Sequence, residues 1–326
     1  MNQTHKTDEL TGYFKMPIFF QVFFKDGSSS TKKAWLSHAS DTVYVSAPND
    51  SPVEYTLFDP ESNVLKTLEF QRNFEELSAQ ALNAKNMIDR YDALAALKET
   101  GLDQKRDLLI RLFNKETFNV IKNEVISQLA KDDNAASISL FNRALHDKDL
   151  TVRRAVVDNL ETFPNAIVAD VENLLTDSSY VTIENTLRKL YKLYPEKAKV
   201  YLDKTKGVMG HNNNVRITWL EIAAKEAKAG TTEQDQLVEY TSNRYEFLTR
   251  VKAMGAAERL VFCNDALVRN LFNAALSSNT RLGGPAIRTL KVLIAKPENL
   301  KLAKGIFEMG TWKDWESKAL TEALKP

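Results

Sequence analysis

Cysteine is nearly absent from this chain of 326 residues: Cys263 stands alone, so no intramolecular disulfide can form. Histidine is scarce as well. His5, His38, His146 and His211 are the whole set, and no two fall within one helical turn, so the sequence offers no local pair of zinc ligands. No stretch reaches the roughly 20 apolar residues of a membrane helix, so no membrane span is expected. Met1 to Leu10 lacks the apolar core of a signal peptide. A formal net charge of +1 removes the electrostatic case for nucleic acid or an anionic membrane as partner. The compartment stays undetermined, because one cysteine suits reducing and oxidising surroundings alike.

Proline is absent between Pro60 and Pro164, whereas Pro17, Pro48, Pro52 and Pro60 crowd the start. The shift marks a change of grammar. Before it, β-type runs alternate with turn residues: Phe14 to Phe24, Lys32 to His38, Thr42 to Ala47, Val53 to Phe58 and Val64 to Phe70. Lys25-Asp26-Gly27-Ser28 is a hairpin turn, and Asp59-Pro60-Glu61-Ser62-Asn63 is a second turn. Five short strands predict a small antiparallel β-sandwich over residues 13–72, with 1–12 as a disordered linker. The aromatic run Tyr13, Phe14, Phe19, Phe20, Phe23 and Phe24 reads as its core, with an exposed recognition edge as the alternative.

From Leu77 onward apolar residues recur every three or four positions, the period of a helix. A valine followed by this spacing opens helices at Val120, Val152, Val181 and Val215, in steps of roughly 30 residues. Gly101, Asp132-Asp133-Asn134 and Asp149 mark breaks and caps. About 15 helices are expected to Leu324, the later ones less regular. Gly283-Gly284-Pro285 reads as a helix start, and Trp312 and Trp315 as one face of a terminal helix. The fold class expected is mainly α, a HEAT/ARM-like α-α superhelix over residues 73–326 preceded by the sandwich. Helix-pair solenoids hold or cover other molecules more often than they do chemistry.

The junction carries further wording: Met16-Pro17-Ile18-Phe19-Phe20, then Tyr55-Thr56-Leu57-Phe58-Asp59-Pro60, Val64 to Phe70, and Asp89-Arg90-Tyr91-Asp92-Ala93-Leu94-Ala95-Ala96-Leu97. This resembles the C-terminal region of the aminopeptidase N-like zinc metallopeptidases. The resemblance implies a non-catalytic lid that shapes a peptide-substrate chamber. Its partners would be a missing N-terminal catalytic domain and peptide substrates, and zinc would belong to the parent alone. The family's H-E-x-x-H and G-x-M-E-N motifs do not occur here, and Gly255-Ala256-Ala257-Glu258-Arg259 is an alanine-rich turn. No catalytic or metal residue is therefore assigned and no cofactor is expected in this chain. The alternative is a stand-alone HEAT-repeat scaffold that binds protein or peptide.

Arg153, Arg154, Arg188 and Arg216 recur near the starts of repeat helices. They are candidates for peptide carboxylates. The competing reading is a structural ladder between repeats, to which Asp149 and Arg153 at i,i+4 would contribute. Asn213, in His211-Asn212-Asn213-Asn214, is a weaker peptide-binding candidate in a loop whose last asparagine would cap a helix at Val215. His146 reads as a solvated loop residue and Cys263 as a buried small hydrophobe. No pair of carboxylates stands out as an acid/base couple.

Overall fold

β1 (Met16–Phe24) and β2 (Ser29–Leu36) form the expected hairpin, with Phe23 opposite Ser29 and Met16 opposite Leu36. The Asp26 carboxylate accepts from the Ser28 backbone N–H at 2.9 Å and closes the turn. β3 (Val53–Phe58) adds to the other edge of β1, so the order is β2-β1-β3, all antiparallel. This computed structural model describes residues 1–5, 7, 10–227 and 232–325.

The sandwich expected from five runs is a single three-stranded sheet among the described residues. Thr42 to Ala47 and Val64 to Phe70 are not strands. The alternation in Val64 to Phe70 is real, with Leu65 fully exposed and Lys66 turned inward, yet no ladder forms there. Asp59 holds that segment instead: its carboxylate accepts from the Val64 N–H at 2.9 Å and pairs with the Lys66 ammonium. Each face of the small sheet nonetheless carries buried side chains. Ile18, Val22, Phe24 and Leu36 lie on one face, and Tyr55 and Leu57 pack with Phe23 on the other. Of the aromatic run, Phe24 is core and Phe20 and Phe23 are half-buried, whereas Tyr13, Phe14 and Phe19 are exposed.

The chain divides into two compact units, Met1–Pro164 and Asn165–Pro326. In the first, the sheet is followed by α1 (Phe74–Asn83), α2 (Met87–Ala96), α3 (Leu102–Lys115), α4 (Asn119–Leu129), α5 (Ala135–Leu145) and α6 (Leu150–Asn159). In the second come α7 (Val168–Asn173), α8 (Tyr180–Leu193), α9 (Ala198–Thr205), α10 (Asn214–Glu226) and α11 (Thr232–Tyr240). They are followed by α12 (Phe247–Leu260), α13 (Asp265–Ala275), α14 (Thr280–Ile294), α15 (Pro297–Met309) and α16 (Asp314–Ala323). The even-numbered helices begin 30 to 34 residues apart from Met87 through to Asp314, so the period persists past Val215. The opening valines of the sequence pattern all fall in the first turn of α4, α6, α8 and α10.

Local chemistry starts these second helices. Asp147 accepts from the Asp149 N–H at 2.9 Å, and Asp149 then caps α6 through the Thr151 N–H at 2.8 Å. Asp177 and Ser179 repeat the device before α8, and Ser277 and Asn279 before α14. The α14 start therefore lies a turn earlier than Gly283-Gly284-Pro285, and Pro285 sits inside the helix. Trp312 likewise precedes the last helix, which begins at Asp314. The expected cap at Asn214 is also displaced. α10 begins at Asn214 itself, whose side chain reaches across to Glu184 at 2.7 Å.

Within each unit the second helices pack side by side, α2 on α4 on α6 and α8 on α10 on α12 on α14. Leu94, Leu97, Leu109, Leu112, Ile121 and Ile126 are fully buried in the first unit. Each such side chain contributes roughly 1.5–3 kcal/mol relative to an exposed one. Polar ties join successive repeats there. Lys122 pairs with Asp147 at 2.7 Å and Asn119 donates to Asp149 at 3.0 Å.

α12 ends at Val261 in the left-handed conformation, φ 52, with the Phe262 N–H returning to the Ala257 carbonyl at 3.1 Å. A β-branched residue is strained there, by about 1–2 kcal/mol, and the Val261 side chain is exposed. Val261→Gly removes that strain and gives back part of it through greater unfolded-chain entropy. A net stabilisation of about 0.5–1 kcal/mol is expected in chemical denaturation. A destabilised variant would show that the valine packs as well as caps.

Candidate functional site

The second helices of the C-terminal unit align one face into a charged row. Glu221, in the middle of α10, is only 2% exposed. Three neighbours bring it cations. Arg259 of α12 binds it with two hydrogen bonds, 2.9 and 2.8 Å. Arg188 of α8 reaches it at 2.9 Å, and Lys225, one turn further along α10, at 3.1 Å. Burial by itself would raise the Glu221 pKa. The Arg259 hydrogen bond and the Arg188 charge override that and hold it down at about 2. Arg259 is correspondingly raised by its bond to Glu221.

Glu184 of α8 forms a second node. It accepts from Lys252 of α12 at 3.0 Å and from Asn214 at 2.7 Å, with Arg188 at 3.7 Å. The row extends outward through Tyr191 of α8, which donates to Glu226 at 2.8 Å, and Thr289 of α14, which donates to Glu258 at 3.0 Å. A β-carbon at Gly255 would lie 3.3 Å from the Arg259 guanidinium, a tight contact that the long arginine side chain can relieve by a small shift. The two central carboxylates are buried, whereas the heads of Arg188, Lys225, Lys252 and Arg259 are each a third to a half exposed. Four half-exposed cations thus stand over two buried carboxylates, with the carboxylates of Glu226 and Glu258 at the margins of the row.

The structure separates the arginines singled out from the sequence. Only Arg188 belongs to this row. Arg216 leaves on another face of α10, stacking on Trp219 at 4.4 Å and donating to Gln236 at 2.6 Å. Arg153 and Arg154 belong to the first unit. Arg153 donates to the Asp147 and Lys148 carbonyls at 2.8 and 3.2 Å, and Arg154 lies 3.7 Å from Asp158. Arg90 makes the same contact in the fourth position of α2, to Ala84 and Lys85. Asn213 is left-handed, φ 55, and donates to Thr249 at 3.4 Å.

Sequence reading missed two carboxylates. Asp89 and Asp92, one turn apart on α2, line a pocket of about 380 Å³ with Phe58, Lys66, Arg72 and Gln80. Burial raises both, and Asp89 adds to the rise in Asp92. Asp89 accepts from the Glu61 N–H at 3.1 Å in a turn where Asp59, Glu61 and Ser62 all take positive φ. It staples that strained turn to α2. Cys263 is half-buried against the apolar cluster of the C-terminal unit, its thiol pushed up by burial and then by Asp265. His38 pairs with Asp41 at 2.9 Å and His146 bonds the Asn142 carbonyl at 2.9 Å. Among the described residues no three His, Cys, Asp or Glu side chains converge as metal ligands. No described helix is long and apolar enough to cross a membrane.

No family model matches the sequence, and no curated protein matches it. Solved structures do resemble it. Kap121p is similar at 14% identity with a TM-score of 0.50, over 76% of this chain and 32% of Kap121p. The CpcE–CpcF complex of phycocyanin lyase from Nostoc sp. PCC7120 is similar at 15% identity and TM-score 0.43, over 80% of this chain and 97% of that one. Human deoxyhypusine hydroxylase in complex with glycerol is similar at 15% identity and TM-score 0.32, over 76% of this chain and 92% of that one. At these identities only the fold is shown, a HEAT-like helical repeat. The aminopeptidase resemblance is overturned. None of these neighbours is an aminopeptidase, and the Val64 to Phe70 wording that helped carry it forms no strand. The peptidase, hydrolase and zinc readings and the missing catalytic domain go with it.

Glu221→Gln leaves three cations facing a neutral amide and is expected to destabilise the fold by about 3 kcal/mol at neutral pH, read by urea denaturation. The sign with pH follows from the depressed pKa. The stabilisation is complete above the ordinary value of 4.5 and is lost as pH falls toward about 2. The gap between wild type and variant should therefore narrow below pH 4.5. A gap that stays constant down to pH 2 would refute the pairing.

Proposed function

We propose that the chain is a HEAT-type repeat scaffold that binds an acidic segment of a protein partner on the second-helix row of its C-terminal unit. The observation that carries this reading is the set of half-exposed cations held over buried Glu184 and Glu221. Their geometry is set before any partner arrives, so binding loses little side-chain entropy. Attraction between these half-exposed cations and an acidic partner also speeds encounter. Binding rather than catalysis is favoured by the state of Glu221. A carboxylate pinned as an anion by three cations exchanges no proton near neutral pH. The fold shared with Kap121p, which has been solved bound to Pho4p and to Nup53p, is compatible with a protein partner.

The test is fluorescence polarisation with labelled oligoglutamate and oligolysine peptides. Oligoglutamate should bind, and its affinity should fall steadily with added salt. Combining Lys225→Gln with Arg288→Glu should weaken it by about tenfold. Arg288 of α14 stands two-thirds exposed, 3.9 Å from Glu258, and loss of Lys225 leaves Glu221 both of its arginines, so circular dichroism should show the fold retained. Equal binding of the two peptides, or an unaffected variant, would sink the proposal.

A further inference from the structure

Arg250, fourth residue of α12, is a buried cation without a counterion. It is 6% exposed. Its Nε donates to the Thr241 carbonyl at 3.0 Å and its Nη2 to the Asn273 amide oxygen at 3.1 Å, both neutral acceptors. No carboxylate among the described residues pairs with it, and burial alone pushes its pKa down. An unpaired buried charge is among the costlier features a fold can retain. Its third nitrogen, Nη1, takes no acceptor among the described residues, and Arg250 lines an open crevice of about 680 Å³.

The walls of that crevice are rich in donors. Asn273 spends its oxygen on Arg250, which leaves its amide N–H groups for a ligand. Arg269 of α13 is exposed beside it. Ser277 accepts from the Asn279 N–H at 3.2 Å, which leaves its hydroxyl proton to donate. The acid in the wall, Glu316, accepts from the Lys313 N–H at 2.9 Å and keeps its charge, which favours a bound carboxylate on the Arg250 and Arg269 side of the crevice.

The opposite side is aromatic. Trp312 is fixed by its indole N–H to the Phe307 carbonyl at 2.8 Å and by stacking on Phe307. Gly310 makes room for it, since a β-carbon there would fall 2.4 Å from the ring. Trp315 is 55% exposed at the mouth. A pocket of this size, with an apolar wall facing a few convergent polar groups, has the build of a small-ligand or peptide-end site.

We propose that this crevice binds a carboxylate carried on an apolar or aromatic body. The carboxylate sits on Arg250 Nη1, the Asn273 amide and Arg269, and the body lies against Trp312 and Trp315. The free C-terminus of a peptide and an acidic side chain beside an apolar one both present this chemistry. The crevice uses none of the cations of the second-helix row, so either proposal can fail without the other.

Calorimetric titration with three probes tests it: N-acetyl-Ala-Phe as the free acid, the same dipeptide as the amide, and N-acetyl-Glu-Phe-amide. At least one acid should bind about tenfold more tightly than the neutral amide, and which one does so identifies the source of the carboxylate. Asn273→Asp supplies Arg250 with an internal counterion. It should raise the thermal midpoint and lower affinity for the acid by about tenfold or more. Trp315→Ala should weaken the acid while leaving the thermal midpoint in place. Equal binding of acid and amide, no heat with any probe up to millimolar concentration, or unchanged affinity in Asn273→Asp would overturn it.

Discussion

The Glu221 carboxylate sits where water cannot reach it, and three cations from α8, α10 and α12 converge on it. Removing an anion from water is costly, and the loss is offset only if its partners arrive with good geometry. That requirement fixes more than one pair. Arg188 must come from the preceding repeat and Arg259 from the following one, so the spacing of three second helices is set by a single side chain. Apolar packing supplies the bulk of the stabilisation, whereas this network specifies which helix faces which.

The N-terminal unit solves its polar accounting differently. Its charges sit in turns. Asp147 and Asp149 order a turn, cap α6 and accept from Lys122 and Asn119 of the repeat before. Arg90 and Arg153 each donate to a pair of carbonyls in the turn before their own helix. The arginine near a repeat start is thus bound into turn structure here, while in the C-terminal unit basic heads are left half-exposed on the second-helix face. Arg90 also binds the buried Glu116 carboxylate with two hydrogen bonds, 2.8 and 3.1 Å, so both units set arginines on buried carboxylates and differ in how far the basic heads reach solvent.

Much of the helical part was legible. Cap residues and the three-to-four spacing of apolar side chains act within one or two turns, so Asn134 before α5 and Asp149 before α6 mark true boundaries. The Ser277-Ser278-Asn279 turn carries the same signal for α14, one turn ahead of Gly283-Gly284-Pro285. The strands were less legible. Val64 to Phe70 alternates as a strand does, but alternation reports only which side chains face inward. A strand also needs a partner for its backbone, and here the Asp59 carboxylate takes that place.

By itself the sequence determined the helical period, the starts of several helices and the hairpin, because each depends on residues a few positions apart. Tertiary structure alone decided the candidate surfaces. Arg188 is visible in the sequence, but its partner Glu221 lies 33 positions away and Arg259 a further 38. Arg250 looks like any helix arginine until burial removes its solvent and no carboxylate replaces it. Charge pairing and desolvation act through space, where the distance that matters is a few ångströms and not a number of residues.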